Sequence, residues 1–404
     1  MARIVQKFGG TSVGDIARIK NVAQRVKAEV DRGNQIAVVV SAMSGVTNQL
    51  VAYCSDIAKI HDQREYDAVV ATGEQVTSGL LAIALQELGV QARSWAGWQI
   101  PITTDDAHGK ARIVSIDGAG IIKQMEAGQV AVIAGFQGLG PEGRVTTLGR
   151  GGSDTTAVAI AAAVKADRCD IYTDVDGVYT TDPRIVPTAR KLDKITYEEM
   201  LESASLGAKV LQTRSVEMAM KHHVRVQVLS SFTDTPGTLV CDEDEIVEKE
   251  LVSGIAYSRD EAKITLVGVE DHPGIAAGIF GPLASANINV DMIVQNISHD
   301  GTTDITFTTS RTELDRALKV VKDSMKVPYK SLASDKSVVK VSVIGVGMRS
   351  HAGVAQTMFK ALADKNINIH VISTSEIKVS VLISEEYTEL ALRALHTAYG
   401  LDAA

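Results

Sequence analysis

Thr147-Leu148-Gly149-Arg150-Gly151-Gly152-Ser153-Asp154-Thr155-Thr156, followed by the apolar run AVAIAAAV from 157 to 164, is the stretch whose reading decides the fold. Three glycines permit tight turns and let ligand atoms come close to the main chain. Ser153, Asp154 and Thr155 are each capable helix N-caps, and the run from Ala157 to Val164 predicts the buried helix they would start. A helix N-terminus opening from a glycine loop directs free N–H groups outward, which suits an anion. Arg150 adds a planar fork matched to carboxylate or phosphate. Taken alone, the stretch fits a glycine turn into a core helix with a solvated arginine equally well, so its meaning rests on its neighbours.

Those neighbours repeat one theme. Residues 3–8 (RIVQKF) predict a strand, Gly9-Gly10-Thr11-Ser12 a loop, and Ile16 to Val30 a helix with apolar residues at helical spacing. Ile36 to Val40 (IAVVV) is a continuous apolar strand of the kind buried on both faces of a parallel sheet. It runs into Ser41-Ala42-Met43-Ser44-Gly45, and a helix starts at about Thr47. Gly73-Glu74-Gln75 opens a long helix through Leu88, and Gln129 to Ala134 is a further buried strand ending in the loop Gly135-Phe136-Gln137-Gly138. Alternating strands and helices predict an α/β fold with a mostly parallel sheet covered on both faces. Loops rich in Gly, Ser and Thr at 9–12, 41–47, 135–138 and 149–155 follow a strand or lead into a helix, where open parallel sheets bind ligands.

Further along, the strand Asp170 to Thr173 feeds a turn-rich loop with Asp174, Asp176, Asp182 and Arg184. This loop could hold an adenosine base and ribose or carry calcium, although it lacks the spacing and closing Glu of an EF-hand. Helices are expected around 198–203 and 213–222, then a strand at 226–230. His222 and His223 are adjacent, so they point in different directions and make a poor metal pair.

A length of 404 residues predicts two or three domains. A net charge of −8 disfavours nucleic acid or an acidic membrane as a partner. Three scattered cysteines fit no metal or redox spacing and suit a reducing compartment, the chain enters a strand at once with no signal-peptide pattern, and the 157–164 run is too short to span a bilayer; a cytoplasmic location is expected. Composition shifts at Asp234-Thr235-Pro236-Gly237-Thr238, and the rest contains an internal repeat. Ile264–Val269 answers to Val341–Val346, Gly274 to Gly353, Phe280 to Phe359, and Asn287-Ile288-Asn289 to Asn366-Ile367-Asn368. Two small βαββ-type units in tandem are therefore expected, at 246–335 and 336–404, after a first domain at 1–245.

No Gly-x-x-x-x-Gly-Lys-Ser/Thr loop is present, and no Gly-x-Gly-x-x-Gly follows the first strand. What remains is Lys7 at a strand end before two glycines and two hydroxyls, an arrangement in which lysine bridges phosphates while backbone N–H groups hold their oxygens. With three more anion-suited loops, phosphate chemistry is the expectation.

Val5-Gln6-Lys7-Phe8-Gly9-Gly10-Thr11-Ser12-Val13 resembles the signature of aspartate kinases within the amino-acid kinase family. Val40–Thr47, the Gly73-Glu74 pair, Leu148–Asp154, Thr173–Tyr179 and Asp182-Pro183-Arg184 match in the same order, and the tandem C-terminal units resemble ACT domains. The resemblance covers essentially the whole chain. It implies a three-layer αβα kinase domain followed by two ferredoxin-like βαββαβ ACT domains, and transfer of the γ-phosphate of MgATP to the side-chain carboxylate of L-aspartate. It also implies roles. Lys7 and Asp154 would be catalytic, with Asp154 organising Lys7. Arg150 would clamp the substrate α-carboxylate and Glu74 its ammonium, with Ser41, Thr47 and Ser153 donating to its oxygens. ATP would be held by Lys7, Phe8, Gly9, Gly10, Thr173, Asp174, Tyr179, Arg184, Lys209 and Val210, with Mg²⁺ held mainly by the phosphates. Lysine and/or threonine, as feedback effectors, would meet Asp271, Ile275, Ala276, Asn289, Val290, Asp291 and Gln295 in the first ACT copy. The second copy has Ser350-His351-Ala352-Gly353 in place of the first copy's His-Pro-Gly. A homo-oligomer through ACT pairing is implied, and a separate small subunit equal to the C-terminal region is left open, with no nucleic acid or membrane partner.

Overall fold

The computed structural model describes residues 1–404 apart from 101, 208–209, 247–249, 298–300, 326 and 403–404. The chain divides into two units: Met1–Val178 with Lys191–Ala204 and Lys209–Glu248, and Tyr179–Arg190 with Ser205–Ala208 and Lys249–Ala404.

The first unit runs β1 (Arg3–Phe8), α1 (Ile16–Asp31), β2 (Gln35–Val40), α2 (Val46–Ile57), α3 (Gln63–Val70), α4 (Thr72–Glu87), β3 (Ala92–Trp95), β4 (Ile102–Thr104), β5 (Ile113–Ile116), α5 (Ala119–Glu126), β6 (Val130–Ala134), β7 (Gln137–Leu139) and β8 (Val145–Thr147). It continues through α6 (Gly152–Ala163), β9 (Arg168–Thr173), β10 (Lys194–Thr196), α7 (Tyr197–Ser205), α8 (Thr213–His222), β11 (Val226–Ser230) and β12 (Thr238–Cys241). Among the described residues the main sheet has the order β10-β12-β11-β9-β1-β2-β6-β3. Its pairs are parallel except β11 with β12.

The apolar runs explain the layering. Ile36–Val40 is buried along its length because both faces are covered. On one face Phe8, Val38 and Val40 pack with Ile19, Val22 and Val26 of α1 and Leu81 and Leu85 of α4. On the other, Val5, Val39 and Ile133 pack with Met125 of α5, Ile160 of α6, Met200 of α7 and Val216 of α8. Each such aliphatic side chain contributes about 1.5–3 kcal/mol, and the result is a three-layer αβα unit. The segment Gln63–Glu87 is long and apolar enough to cross a membrane, but half of it is buried in the protein, a pattern core helices share.

Two local expectations are corrected. Residues 137–139 form a strand of a second sheet, β5-β4-β7-β8, rather than a loop. Three-residue strands are too short to show periodicity, and Gly138 is required because a Cβ there would lie 2.5 Å from Thr104 Cγ2. Helix α6 starts at Gly152, not near 157, and its N-cap is Gly151 at φ 72° rather than Ser153, Asp154 or Thr155. A side chain at 151 would overlap Gln212, so glycine meets both the left-handed backbone and the space there.

The second unit contains β13 (Gly254–Glu270), α9 (Ile275–Ser285), β14 (Asp291–Ile297), β15 (Thr302–Thr309), α10 (Leu314–Asp323), β16 (Ser331–Ile344), α11 (Val354–Ala363), β17 (Val371–Thr374), β18 (Lys378–Ser384) and α12 (Thr388–Ala398). The sequence repeat is visible in the backbone: Gly274 and Gly353 cap their helices at φ 95° and 99°, and Asn287 and Asn366 follow them at φ 52° and 54°. The sheet order is β14-β15-β13-β16-β18-β17. Residues 262–270 of β13 pair with β15, and 263–267 pair with 331–335 of β16; residues 254–258 pair instead with 340–344, which pair with β18. Each copy is thus a four-stranded βαββαβ sheet, and β13 and β16 each serve both. Strand pairing does not follow a tandem division at 335/336, since the second copy takes its last strand from chain preceding the first. Residue patterns locate strands but not a strand shared between the two copies of the repeat; irregular pairing between Ser258 and Lys263 marks the division.

Candidate active site

Strand register gathers the loops. Phe8 stands opposite both Val40 and Tyr172, Val40 opposite Ala134, and Thr173 opposite Ser230, so β1, β2, β6, β9 and β11 end at one level. The loops are tied just beyond: Ser41 N donates to Phe8 O at 3.1 Å, Gly135 N to Val40 O at 3.0 Å and Gly9 N to Tyr172 O at 3.3 Å. A Cβ at Gly10 would lie 3.0 Å from Ala42 O, and one at Gly135 would lie 2.8 Å from Ser153 Oγ. Close approach, of backbone at Gly10 and of the Ser153 side chain at Gly135, is what these two glycines supply, not turn geometry.

Lys7 sits on the β1 face that packs against α6, and Asp154 lies in the first turn of α6. Lys7 Nζ is 2.5 Å from Asp154 Oδ1, with 10% and 11% of the two side chains exposed. Phe8 points to the opposite face and stacks on Tyr172, ring centroids 4.5 Å apart.

Glu74, in the first turn of α4, is buried. Its Oε1 accepts from Ala42 N at 3.1 Å, and its Oε2 is buried with no hydrogen-bond partner among the described residues. Burial pushes the Glu74 carboxyl up to about 7, against the opposing pull of the Ala42 N–H. Ser41 and Thr47 are half-buried, Thr47 in the first turn of α2, whose N-cap is Gly45 at φ 83°. Ser153 is buried beside Asp154. Arg150 is exposed and makes no ion pair or hydrogen bond among the described residues.

The residues expected at a nucleotide divide. Thr173, whose Oγ1 donates to Asp174 Oδ1 at 3.1 Å, and Val210, at the edge of the first core, belong to the unit that carries Lys7. Lys209 lies outside the described residues. Tyr179 and Arg184 fall in the 179–190 segment of the second unit, where Arg184 pairs with Asp182 at 2.8 Å and Tyr257 donates to the same carboxylate at 3.3 Å.

Of the residues expected at an effector, Gln295 Nε2 donates to Asp271 Oδ1 at 3.4 Å. Ile275 is buried at the start of α9, Ala276 and Asn289 are exposed, and Val290 is half-buried at the edge of the first copy's core. Asp291, at the start of β14, is held by Lys340 Nζ at 2.6 Å; Lys340 also pairs with Glu261 at 2.9 Å.

Sequence reasoning passed over two residues beside the Arg150 loop. Asp67 is fully buried and accepts from Thr147 Oγ1 at 2.5 Å, Thr147 N at 3.0 Å and His108 Nδ1 at 2.7 Å. Arg214 Nη1 and Nη2 donate to Leu148 O and Ala111 O, both at 2.7 Å. Nothing in the local sequence separates such residues from solvated helix charges. Among the described residues no group of three or more His, Cys, Asp or Glu could hold a metal ion. Lys7 and Arg150 lie at glycine-rich loops of the kind that suit anions, and Glu74 Oε2 is a buried acceptor.

Comparison with known proteins identifies the family. Residues 2–230 match the amino acid kinase family, and residues 263–324 and 341–399 each match the ACT domain. An aspartate kinase of Stutzerimonas stutzeri (strain A1501) is 59% identical over 405 residues, covering 100% of this chain and 98% of that protein. The Pseudomonas aeruginosa aspartokinase is 58% identical with the same coverage. Escherichia coli aspartokinase III, solved with aspartate and ADP (R-state) and with lysine and aspartate (T-state), is 28% identical, with a TM-score of 0.77 over 98% of this chain and 99% of that one. A family model over more than half the chain and full-length relatives near 60% identity agree: the chain belongs to the aspartate kinases, the ATP:L-aspartate 4-phosphotransferases of the amino acid kinase family.

Proposed function

We propose that Lys7 offsets the repulsion between the side-chain carboxylate of L-aspartate and the phosphates of MgATP, with Asp154 fixing the Lys7 ammonium at the end of β1. The buried 2.5 Å Lys7–Asp154 pair carries this reading. A carboxylate is already ionised near neutrality, so phosphoryl transfer to it needs no general base. What it needs is fixed positive charge where two anions meet. Gly9 and Gly10 fit a phosphate cradle, because a Cβ at Gly9 would lie 3.3 Å from Lys7 Nζ and one at Gly10 would meet Ala42 O. MgATP supplies the γ-phosphoryl group, and the product is the acyl phosphate 4-phospho-L-aspartate.

Glu74 accepts the substrate ammonium through Oε2, the buried acceptor that has no donor. Arg150 takes the α-carboxylate, and Ser41, Thr47 and Ser153 donate to substrate oxygens. Phe8, Thr173, Asp174, Tyr179, Arg184, Lys209 and Val210 hold the nucleotide, and Mg²⁺ is held mainly by its phosphates. Residues 1–245 form the catalytic domain, with regulation in 246–335 and 336–404. Lysine or threonine binds the first ACT copy at Asp271, Ile275, Ala276, Asn289, Val290, Asp291 and Gln295; the Gln295–Asp271 contact and a relative solved with lysine support this. The enzyme starts lysine, threonine, methionine and diaminopimelate synthesis in the cytoplasm and assembles through its ACT domains.

The test traps the acyl phosphate with hydroxylamine. Hydroxamate should form with ATP and aspartate but not with ATP and glutamate, and Lys7→Ala and Asp154→Ala should abolish it. Equal yield from glutamate, or near-normal yield in either variant, counts against the reading.

A further inference from the structure

Arg214, near the start of α8, is a half-buried arginine without a counter-ion among the described residues. Among the described residues no carboxylate lies in ion-pair contact with it, and burial holds its guanidinium below the usual arginine value. A buried cation is costly unless its donors are engaged. Here they are engaged by two backbone carbonyls, Leu148 O and Ala111 O, each at 2.7 Å. Leu148 immediately precedes Gly149 and Arg150, and Ala111 lies between β4 and β5. These segments are themselves joined, since Ala111 N donates to Thr147 O at 2.9 Å.

The rest of the Arg150 loop is fixed in the same way. Gln212, two residues before Arg214, occupies the space a side chain at Gly151 would need, and a Cβ at Gly149 would lie 3.2 Å from Gly109 O. Asp67 anchors Thr147 by both its N–H and its hydroxyl, and accepts from Gly109 N at 3.1 Å. Thus 147–149 and 151 are held, while Arg150 between them extends to solvent with no partner among the described residues. An apolar side chain would fill the Arg214 position without desolvating a charge. A planar fork is needed there only to hold two carbonyls on different segments at once.

We propose that Arg214 is a positioning residue for aspartate: by pinning Leu148 O and Ala111 O it fixes the backbone from which Arg150 meets the substrate α-carboxylate. This rests on the assignment of Arg150 to that carboxylate. The test is steady-state kinetics on full-length Arg214→Met, Arg214→Lys, Arg150→Ala and the Arg150→Ala/Arg214→Met double variant. Arg214→Met should raise KM for aspartate about 10-fold, with KM for ATP changed less than about 2-fold and kcat less than about 3-fold. Added to Arg150→Ala, it should raise the aspartate KM no further, because the loop then presents nothing to position. Arg214→Lys keeps the charge and loses the fork, and should fall between the wild type and Arg214→Met. Equal rises in both KM values, an unchanged aspartate KM, or a full additional rise in the Arg150→Ala background overturns the proposal. If Arg214→Met does not fold, Arg214→Lys gives the same readout, and an unchanged aspartate KM there overturns it. An Arg150→Ala enzyme with an unchanged aspartate KM would instead overturn the clamp assignment, which separates the two failures.

Discussion

Among the described residues each unit of the molecule buries one lysine against carboxylate, and the two are built differently. Lys7 stands at the end of a central strand with a single ion-pair partner among the described residues, Asp154. Lys340 stands within β16 with two partners, Glu261 and Asp291, and its own side chain and that of Glu261 are 6% and 7% exposed. The first cluster is formally neutral beside a further cation, Arg150, so it favours anions. The second sums to −1, and burial, which alone would lower the Lys340 pKa, is outweighed by Glu261 and Asp291, which raise it. On the proposed function, the buried lysine with one carboxylate at a strand end acts as a reagent, and the one with two in mid-strand as a strut.

Breaking the first lysine should have the larger consequence. Lys7→Met should lower kcat about 10³-fold, since it removes fixed charge where two anions meet, and leave the circular dichroism spectrum unchanged. Turnover within about tenfold of normal would mean that Lys7 is as structural as Lys340. Lys340→Met should show the reverse: a loss of about 3–5 kcal/mol in urea unfolding, because Glu261 is left buried without a counter-ion. Adding Glu261→Met should restore much of that loss. A single variant as stable as the parent would refute the strut.

Glu74 sharpens the comparison, since it is a buried carboxylate with no lysine at all. Burial raises it to about 7, so in the free enzyme it is mostly protonated below that pH and cannot pair with an ammonium. kcat/KM for aspartate should therefore fall as pH drops below about 7, and Glu74→Gln should flatten that limb while lowering kcat/KM at pH 8 by about 10–100-fold. The sign for stability is opposite. The unfolded chain releases this proton first, so the shift makes the fold lose stability as pH rises from about 4.5 to about 7. A wild-type profile without an acidic limb would remove Glu74 from the substrate ammonium.

The kinase sheet was legible because Ile36–Val40 and Val130–Ala134 carry its burial pattern in their composition, and glycines mark where loops press together. The repeat was legible because Gly274, Gly353, Asn287 and Asn366 need the same left-handed backbone. What escaped reading depends on distance along the chain. Asp67 meets Thr147 across 80 residues, and Arg214 meets Ala111 across 103. Neither residue has a local pattern, since each is a single charge on a helix whose meaning is set only when another segment arrives. The division of β13 between the two copies of the repeat escaped for the same reason, because alternation along a strand says nothing about which neighbour it pairs with. Glu74 and Lys7 were reached through the order of motifs, while the Glu74 pKa and the orphaned Oε2 belong to the fold.

Asp291 should give the smallest effect and separates strut from sensor within one cluster. Its carboxylate is 62% exposed, while its Lys340 partner is buried. Burial would raise its pKa, but Lys340 outweighs that and holds it below the usual aspartate range, so it stays charged at physiological pH. An effector ammonium reaching Asp291 must share it with Lys340. Asp291→Asn removes that shared charge and leaves Lys340 paired with Glu261 at 2.9 Å, so the strut survives. Stability should fall by less than about 1 kcal/mol, the range of exposed pairs. The lysine or threonine concentration for half-inhibition should rise about tenfold, a coupling of about 1.4 kcal/mol, with uninhibited turnover unchanged. Unaltered inhibition alongside a large stability loss would assign Asp291 to the strut and place effector recognition elsewhere in the second unit.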